Sequence, residues 1–239
     1  MSRQATLQRR THQIARVRTQ RRRQRLLWTL ASATAVVLLV IFAVYAISRV
    51  QQDGEGYAVP AGVSADGAGL ALGTGAVTVE LYSDFLCPAC RAFDRDAADD
   101  LQRLLAEGKI RLIYRPVAIL DRLSSNEYSS RAAAGAGCAA DAGKLLDYSR
   151  VLFANQPAEG AAGHSDEELV RLAGTAGITD PSFGQCLRSG RYLDWVGRVT
   201  AMMEPNGITG TPTVIVAGKR LTQPNGQRLV DAVDAAGTR

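Results

Sequence analysis

Val77-Thr78-Val79-Glu80-Leu81-Tyr82-Ser83-Asp84-Phe85-Leu86-Cys87-Pro88-Ala89-Cys90 divides into two unlike halves. The first half, 77–83, is rich in β-branched and aromatic residues and reads as a strand. The second half places Pro88 directly after Cys87, where the first turn of a helix tolerates a missing N–H. A helix therefore starts at Cys87 and runs through Leu101, Leu104 and Leu105 to Glu107-Gly108. A Cys-x-x-Cys pair at such a junction can open and close a disulfide with little backbone movement, which points to thiol–disulfide exchange. A static disulfide or half of a metal site is the alternative for the same spacing. Far downstream, Gly210-Thr211-Pro212-Thr213 leads into the strand-like Val214-Ile215-Val216. Together the two stretches indicate a redox site built from distant parts of the chain.

Between these stretches the chain reads as strand, then mostly helix. Lys109–Tyr114 is a second strand closed by Pro116. From about 121 to 203 the pattern is helical, with segments at Tyr128–Ala142, Lys144–Phe153 and Leu193–Met203. Ser165 and Glu168 have the spacing of a capping box, and a short helix starting at Asp180 or Ser182 carries Cys186. Thr213–Ala217 is a strand, Gly218-Lys219 a turn, Arg220–Thr222 a short strand and Gln227–Ala236 a terminal helix. The crossover between the first two strands suits a parallel pair, and the two-residue turn makes the last two antiparallel. The expectation is an α/β protein with a thioredoxin-like fold and a helical insertion over about 121–203.

The start of the chain is of another kind. Residues 1–25 carry nine Arg and no acid, and 26–47 holds 22 residues without a charge. At the helical rise such a run spans about 33 Å, enough for the ~30 Å core of a bilayer. Trp28 and Tyr45 sit near its ends, where amphipathic rings favour the interface. The run exceeds the usual apolar region of a cleavable signal peptide, and Val44-Tyr45-Ala46 is a poor cleavage site. The reading is a basic cytoplasmic tail (1–25), a single transmembrane signal anchor (26–47), a flexible Gly-rich linker (48–75) and an extracytoplasmic domain (76–239). A short edge strand is possible at Gly69–Leu72.

Of 28 Lys and Arg, nine lie in 1–25 and one is Arg49, so 18 remain beyond position 50 against all 23 acids, a net −5. The basic character belongs to the tail, where topology and anionic lipid contact are the better reading than nucleic-acid binding. Cys87, Cys90, Cys138 and Cys186 all follow the anchor, and an even count in an exported domain favours disulfides. A zinc site would need a second close pair, whereas Cys138 and Cys186 are 48 residues apart. No metal and no cofactor are expected.

Ser83-Asp84-Phe85-Leu86-Cys87-Pro88-Ala89-Cys90, Gly207-Ile208-Thr209-Gly210-Thr211-Pro212-Thr213 and the helical stretch between them resemble the DsbA-like branch of the thioredoxin superfamily. The resemblance is nearest to membrane-anchored members from Gram-positive bacteria, especially actinobacteria, and covers about 69–239. It implies an extracytoplasmic disulfide oxidoreductase acting on exported cysteine-containing proteins and reoxidised by a membrane oxidase of the DsbB or VKOR-like type. A reductase or isomerase on the same fold, or an anchored binding domain with a structural Cys pair, is the alternative. One departure is the Pro-Ala dipeptide between the cysteines, where the most oxidising proteobacterial members have Pro-His.

Cys87, at the first turn of the helix, faces free N–H groups and the positive dipole end and is the expected nucleophile, with Cys90 as the buried resolving thiol. The resemblance further implies a cis Pro212, with Thr211 pairing with an extended substrate and tuning the thiolate. It also implies a proton-moving role for Glu80 near the resolving cysteine, the alternative being an edge-strand Glu80 that points to solvent. Cys138 and Cys186 are expected to form a second disulfide inside the helical insertion, the alternative being two buried free thiols.

Overall fold

The computed structural model describes residues 56–238. The basic tail and the apolar span 26–47 lie outside the described residues. Among the described residues, no helix is long and apolar enough to cross a membrane.

Five strands form one sheet: β1 (Leu70–Leu72), β2 (Val77–Ser83), β3 (Ile110–Pro116), β4 (Thr213–Val216) and β5 (Lys219–Arg220), in the order β1-β3-β2-β4-β5. β2 runs parallel to β3 and antiparallel to β4, so the strand that feeds the Cys pair is the middle of the sheet. The parallel pair needs a crossover, and α1 (Pro88–Ala106) supplies it. Cys87 is the N-cap of α1 and Pro88 its first residue. The buried face of α1 runs Cys90, Phe93, Ala97, Leu101, Leu104, at helical spacing.

Six further helices follow: α2 (Tyr128–Asp141), α3 (Leu145–Ala154), α4 (Asp166–Thr175), α5 (Pro181–Arg188), α6 (Leu193–Ala201) and α7 (Gly226–Gly237), with a 3-10 turn at Asp121–Leu123. The small residues of α2 allow close approach, and α3, α5 and α6 all pack against it. α4 starts with the capping box read from the sequence, Ser165 Oγ accepting from Glu168 N and Glu168 accepting from Ser165 N. α7 packs on α1, and Gly226 N donates to Asp96 Oδ2 at 2.7 Å.

Two readings of the sequence change. The turn between β4 and β5 is Ala217-Gly218, because Val216 pairs with Lys219 and both turn residues have positive φ (48° and 78°). That two-residue geometry matches the twist of the flanking strands, and it shifts β5 to Lys219–Arg220. The second change is larger. Gly-rich 57–75 is not a free tether: it is fastened onto the domain. Ala68 and Leu70 are buried, and Leu70–Leu72 forms edge strand β1 against β3. Trp195 Nε1 donates to Gly67 O at 2.9 Å, and Asp141 Oδ1 accepts from Ala61 N at 2.8 Å. Gly75 is pressed against the backbone of Lys109 and Ile110, where a Cβ would come within 2.3 Å. Small residues there permit contact rather than freedom.

Candidate active site

The site begins with the β2–α1 turn. Asp84, fully buried, organises it: Oδ1 accepts from Leu86 N (2.9 Å) and Ser129 Oγ (2.6 Å), and Oδ2 accepts from Leu120 N (3.0 Å). One carboxylate thus fixes the turn to α2 and to the chain after β3. Burial raises its pKa from 3.8 to about 6 against those three hydrogen bonds. From the other side, Gln156 Nε2 donates to both Phe85 O (2.9 Å) and Cys87 O (3.0 Å). Phe85 packs on Phe153, ring centroids 5.1 Å apart.

This frame presents two unlike thiols. Cys87 is 8% exposed and Cys90 1%, and neither is in a disulfide. Cys87 Sγ lies 3.4 Å from Thr211 O. The Cys87 pKa is lowered to about 5, chiefly by the hydrogen bond from Cys90, opposed by burial, and helped by Thr211 and the N–H groups of Cys90 and Ala89. Burial, then the neighbouring Cys87, drives the Cys90 thiol in the other direction, well above its ordinary value. One sulfur is therefore a nucleophile and leaving group at neutral pH, while the other holds its proton.

The Thr211–Pro212 bond is cis, and Thr211 O lies beside Cys87. Ala89, Ala92, Phe93, Asp96, Pro212 and Pro224 line an open groove of about 570 Å³ along this edge. Cys138 and Cys186 are joined by a disulfide that links α2 to α5, with Cα atoms 6.0 Å apart. Among the described residues, no cluster of His, Cys, Asp and Glu is arranged to hold a metal ion.

Glu80 is not brought to the cysteines. Side chains alternate along a strand, and Leu81 and Ser83 share a cavity with Cys90, so Glu80 lies on the opposite face of the sheet. There it accepts from Arg115 Nε (3.0 Å) and Nη2 (2.8 Å), and Arg115 also bonds Asp66 and Ala68 O. It fits neither expectation: it is in a central strand, yet it serves an ion-pair network that fastens 57–75. Sequence reading singled out Asp84 in the turn without giving it chemistry, and it missed Gln156, which reaches Phe85 O and Cys87 O from 71 and 69 residues away.

With this geometry in place, comparison with known proteins gives a consistent answer. The family model described as Thioredoxin matches residues 71–235. The chain belongs to the thioredoxin family, in its DsbA-like branch of thiol–disulfide oxidoreductases. An oxidised DsbA of Mycobacterium tuberculosis is 30% identical with a TM-score of 0.61, over 74% of this chain and 92% of that one. The reduced disulfide bond oxidoreductase DsbG of the same organism is 31% identical with a TM-score of 0.60, over 72% of this chain and 85% of that one. The serine/threonine-protein kinase PknE of M. tuberculosis is 33% identical over 123 residues, 48% of this chain. The match spans only 22% of that kinase's length. In this DsbA-like domain both sulfurs are largely buried, and the one with the lowered pKa is the more exposed of the two.

Proposed function

We propose that the chain is an extracytoplasmic thiol–disulfide oxidase that introduces disulfides into exported cysteine-containing proteins through Cys87 and Cys90. The observation that carries this is the placement of Cys87 at the N-cap of α1, beside the buried Cys90 and 3.4 Å from Thr211 O, which favours its thiolate. A thiolate stabilised in the dithiol form favours that form, so the Cys87–Cys90 disulfide is the more reactive state and gives up its oxidation readily. A substrate thiolate attacks Cys87 Sγ, and Cys90 leaves, taking up a proton. A second substrate thiolate then attacks the substrate sulfur of the mixed disulfide and expels Cys87 as thiolate. The substrate loses two electrons and the enzyme gains them. Thr211 and Pro212 line the edge where an extended substrate can pair with the backbone. The Cys138–Cys186 disulfide supports an oxidising compartment.

The wider setting follows from the sequence. The uncharged run 26–47 after nine Arg supports a single-pass anchor embedded in the lipid bilayer, with the N-terminus cytoplasmic and the domain outside. A membrane oxidase of the DsbB or VKOR-like type would reoxidise the pair, and no nucleic-acid role is assigned to the tail. The test is the redox potential of the Cys87/Cys90 couple, set by equilibration with glutathione. A value near about −120 mV is expected, and one near about −270 mV would instead mark a reductase.

A further inference from the structure

Pro88 leaves the reacting end of α1 with one peptide unit that cannot be held in the ordinary way. The amides just before it are tied: Leu86 N donates to Asp84 Oδ1 (2.9 Å) and Cys87 N to Asp84 O (3.0 Å). Proline has no N–H, so the Cys87–Pro88 peptide can be fixed only through its carbonyl. Cys87 O accepts from Arg91 N (3.1 Å), the first bond of the helix, and from Gln156 Nε2 (3.0 Å). The same Nε2 donates to Phe85 O at 2.9 Å. Phe85 is fully buried, and among the described residues no other group donates to its carbonyl. Both partners are acceptors, so the amide presents its two hydrogens here, one to each. A carboxylate or a thioether of the same length could supply neither.

Gln156 is itself held. Asn155 is the C-cap of α3; its Nδ2 donates to Val151 O (2.8 Å), and its carbonyl lies 2.6 Å from His164 Nε2. Pro157 follows and disfavours helical backbone at Gln156, which turns the chain out of α3 there. Phe153, at the end of the same helix, packs on Phe85. The arm that reaches Cys87 is thus part of the helical layer. What depends on it is the sulfur. Cys87 is the N-cap of α1, with an extended backbone (φ −73°, ψ 119°). A side chain there meets the N–H groups of the second and third helical residues, Ala89 and Cys90. Those two groups help to hold the Cys87 thiol below its ordinary pKa. Turning the Cys87–Pro88 peptide changes ψ at Cys87 and carries Sγ away from both.

We propose that Gln156 is a positioning residue for thiol–disulfide exchange: by gripping Phe85 O and Cys87 O it keeps Cys87 Sγ on the N–H groups that open α1, and so sets how readily the Cys87–Cys90 disulfide is given up. The inference rests on Cys87 and Cys90 acting as an exchanging pair. The grip counts for more in the reduced form than in the oxidised one. In the disulfide a covalent bond to Cys90 already fixes the Cys87 sulfur. In the dithiol only the backbone of the turn does, and Gln156 ties that backbone to the helical insertion. Loss of the amide therefore destabilises the reduced form selectively, and the disulfide becomes a weaker oxidant.

The experiment compares the full chain with Gln156→Ala and with Gln156→Met, which fills the same space without a donor. Thiolate absorbance against pH gives the Cys87 midpoint, and equilibration with glutathione at pH 7 gives the redox equilibrium. In both variants the midpoint should rise by about one unit, a tenfold loss in the ratio of thiolate to thiol. Reduction of the disulfide should become about tenfold less favourable, or about 30 mV more reducing. Ser165→Ala, which weakens the helical layer elsewhere, should move neither value. If Gln156 only supports the fold, urea midpoints of the oxidised and reduced forms will fall alike while both redox values stay in place, and that would overturn the assignment. So would equal redox shifts in Ser165→Ala. Should neither Gln156 variant fold, nuclear magnetic resonance of the unaltered protein decides. The Gln156 side-chain amide signal should follow the Cys87 ionisation in the reduced form and stay still in the oxidised form; a signal unmoved in the reduced form rejects the grip. Each effect is a difference from the unaltered protein, so a couple near about −270 mV would remove the oxidase reading while the same shifts still support Gln156. An unaltered protein that does not exchange with glutathione would overturn both.

Discussion

At the scale of the residue, two sulfurs three positions apart have opposite fates because one is at the helix end and the other is inside. The Cys87 thiolate owes most to the hydrogen bond from Cys90. Absorbance of the thiolate followed against pH should give a midpoint near about 5 for the reduced protein, and Cys90→Ala should move it upward. An unchanged midpoint would mean that the helix end alone sets it. Glu80 makes the contrasting case. With Arg115 held by two acids and a carbonyl, Glu80→Gln should leave the rate of exchange with glutathione unchanged and lower stability by about 1 kcal/mol. Arg115→Ala, which strands both acids, should cost about 3 kcal/mol by urea denaturation. The nucleophile could be read from the sequence because Cys, Pro and helix start lie within four residues. The face on which Glu80 lies could not, because strand alternation gives two faces without saying which one α1 covers.

Among elements, those with local signals were the legible ones. The start of α1 carries Pro88, and the start of α4 carries Ser165 and Glu168, so each boundary is written in adjacent residues. Ser165→Ala should therefore cost about 1 kcal/mol of unfolding free energy without changing exchange kinetics. A loss below a few tenths would show that water caps the helix as well. Residues 57–75 were illegible for the converse reason. Their partners, Asp141, Trp195 and Arg115, lie 47 or more positions further along the chain, and composition alone makes the segment look like a tether. The β2–α1 turn lies between these cases: its Cys pair is local, but Asp84 acts through Ser129 and Leu120, 45 and 36 residues away.

For the whole molecule, pH and covalent linkage set stability. Asp84 and Asp94 both have folded-state pKa values of about 6, above the ordinary 3.8. A carboxyl whose pKa rises on folding binds its proton more tightly in the folded state. Its contribution is thus full below about pH 4 and is lost as pH rises through about 6. Asp66, lowered to about 2, acts oppositely, its contribution fading only as pH falls below 4. Urea midpoints should accordingly fall between pH 5 and pH 7.5, and less so in Asp94→Asn. A flat profile in the unaltered protein would remove the burial argument. The Cys138–Cys186 bond closes a loop of 48 residues, worth about 4 kcal/mol in the chain-entropy account. Replacing both cysteines by Ala should lower stability by that order while leaving the Cys87 thiolate midpoint in place.

That second disulfide gives the molecule a founder's problem. Under the proposed function, each newly made copy reaches its compartment with two thiols in the helical layer still to be joined, in addition to the working pair. Under the proposed function it is first a client and only afterwards a tool, finished either by an older copy or by the oxidant that recharges one. A population of the protein would then mature at a rate that depends on how much of it is already mature.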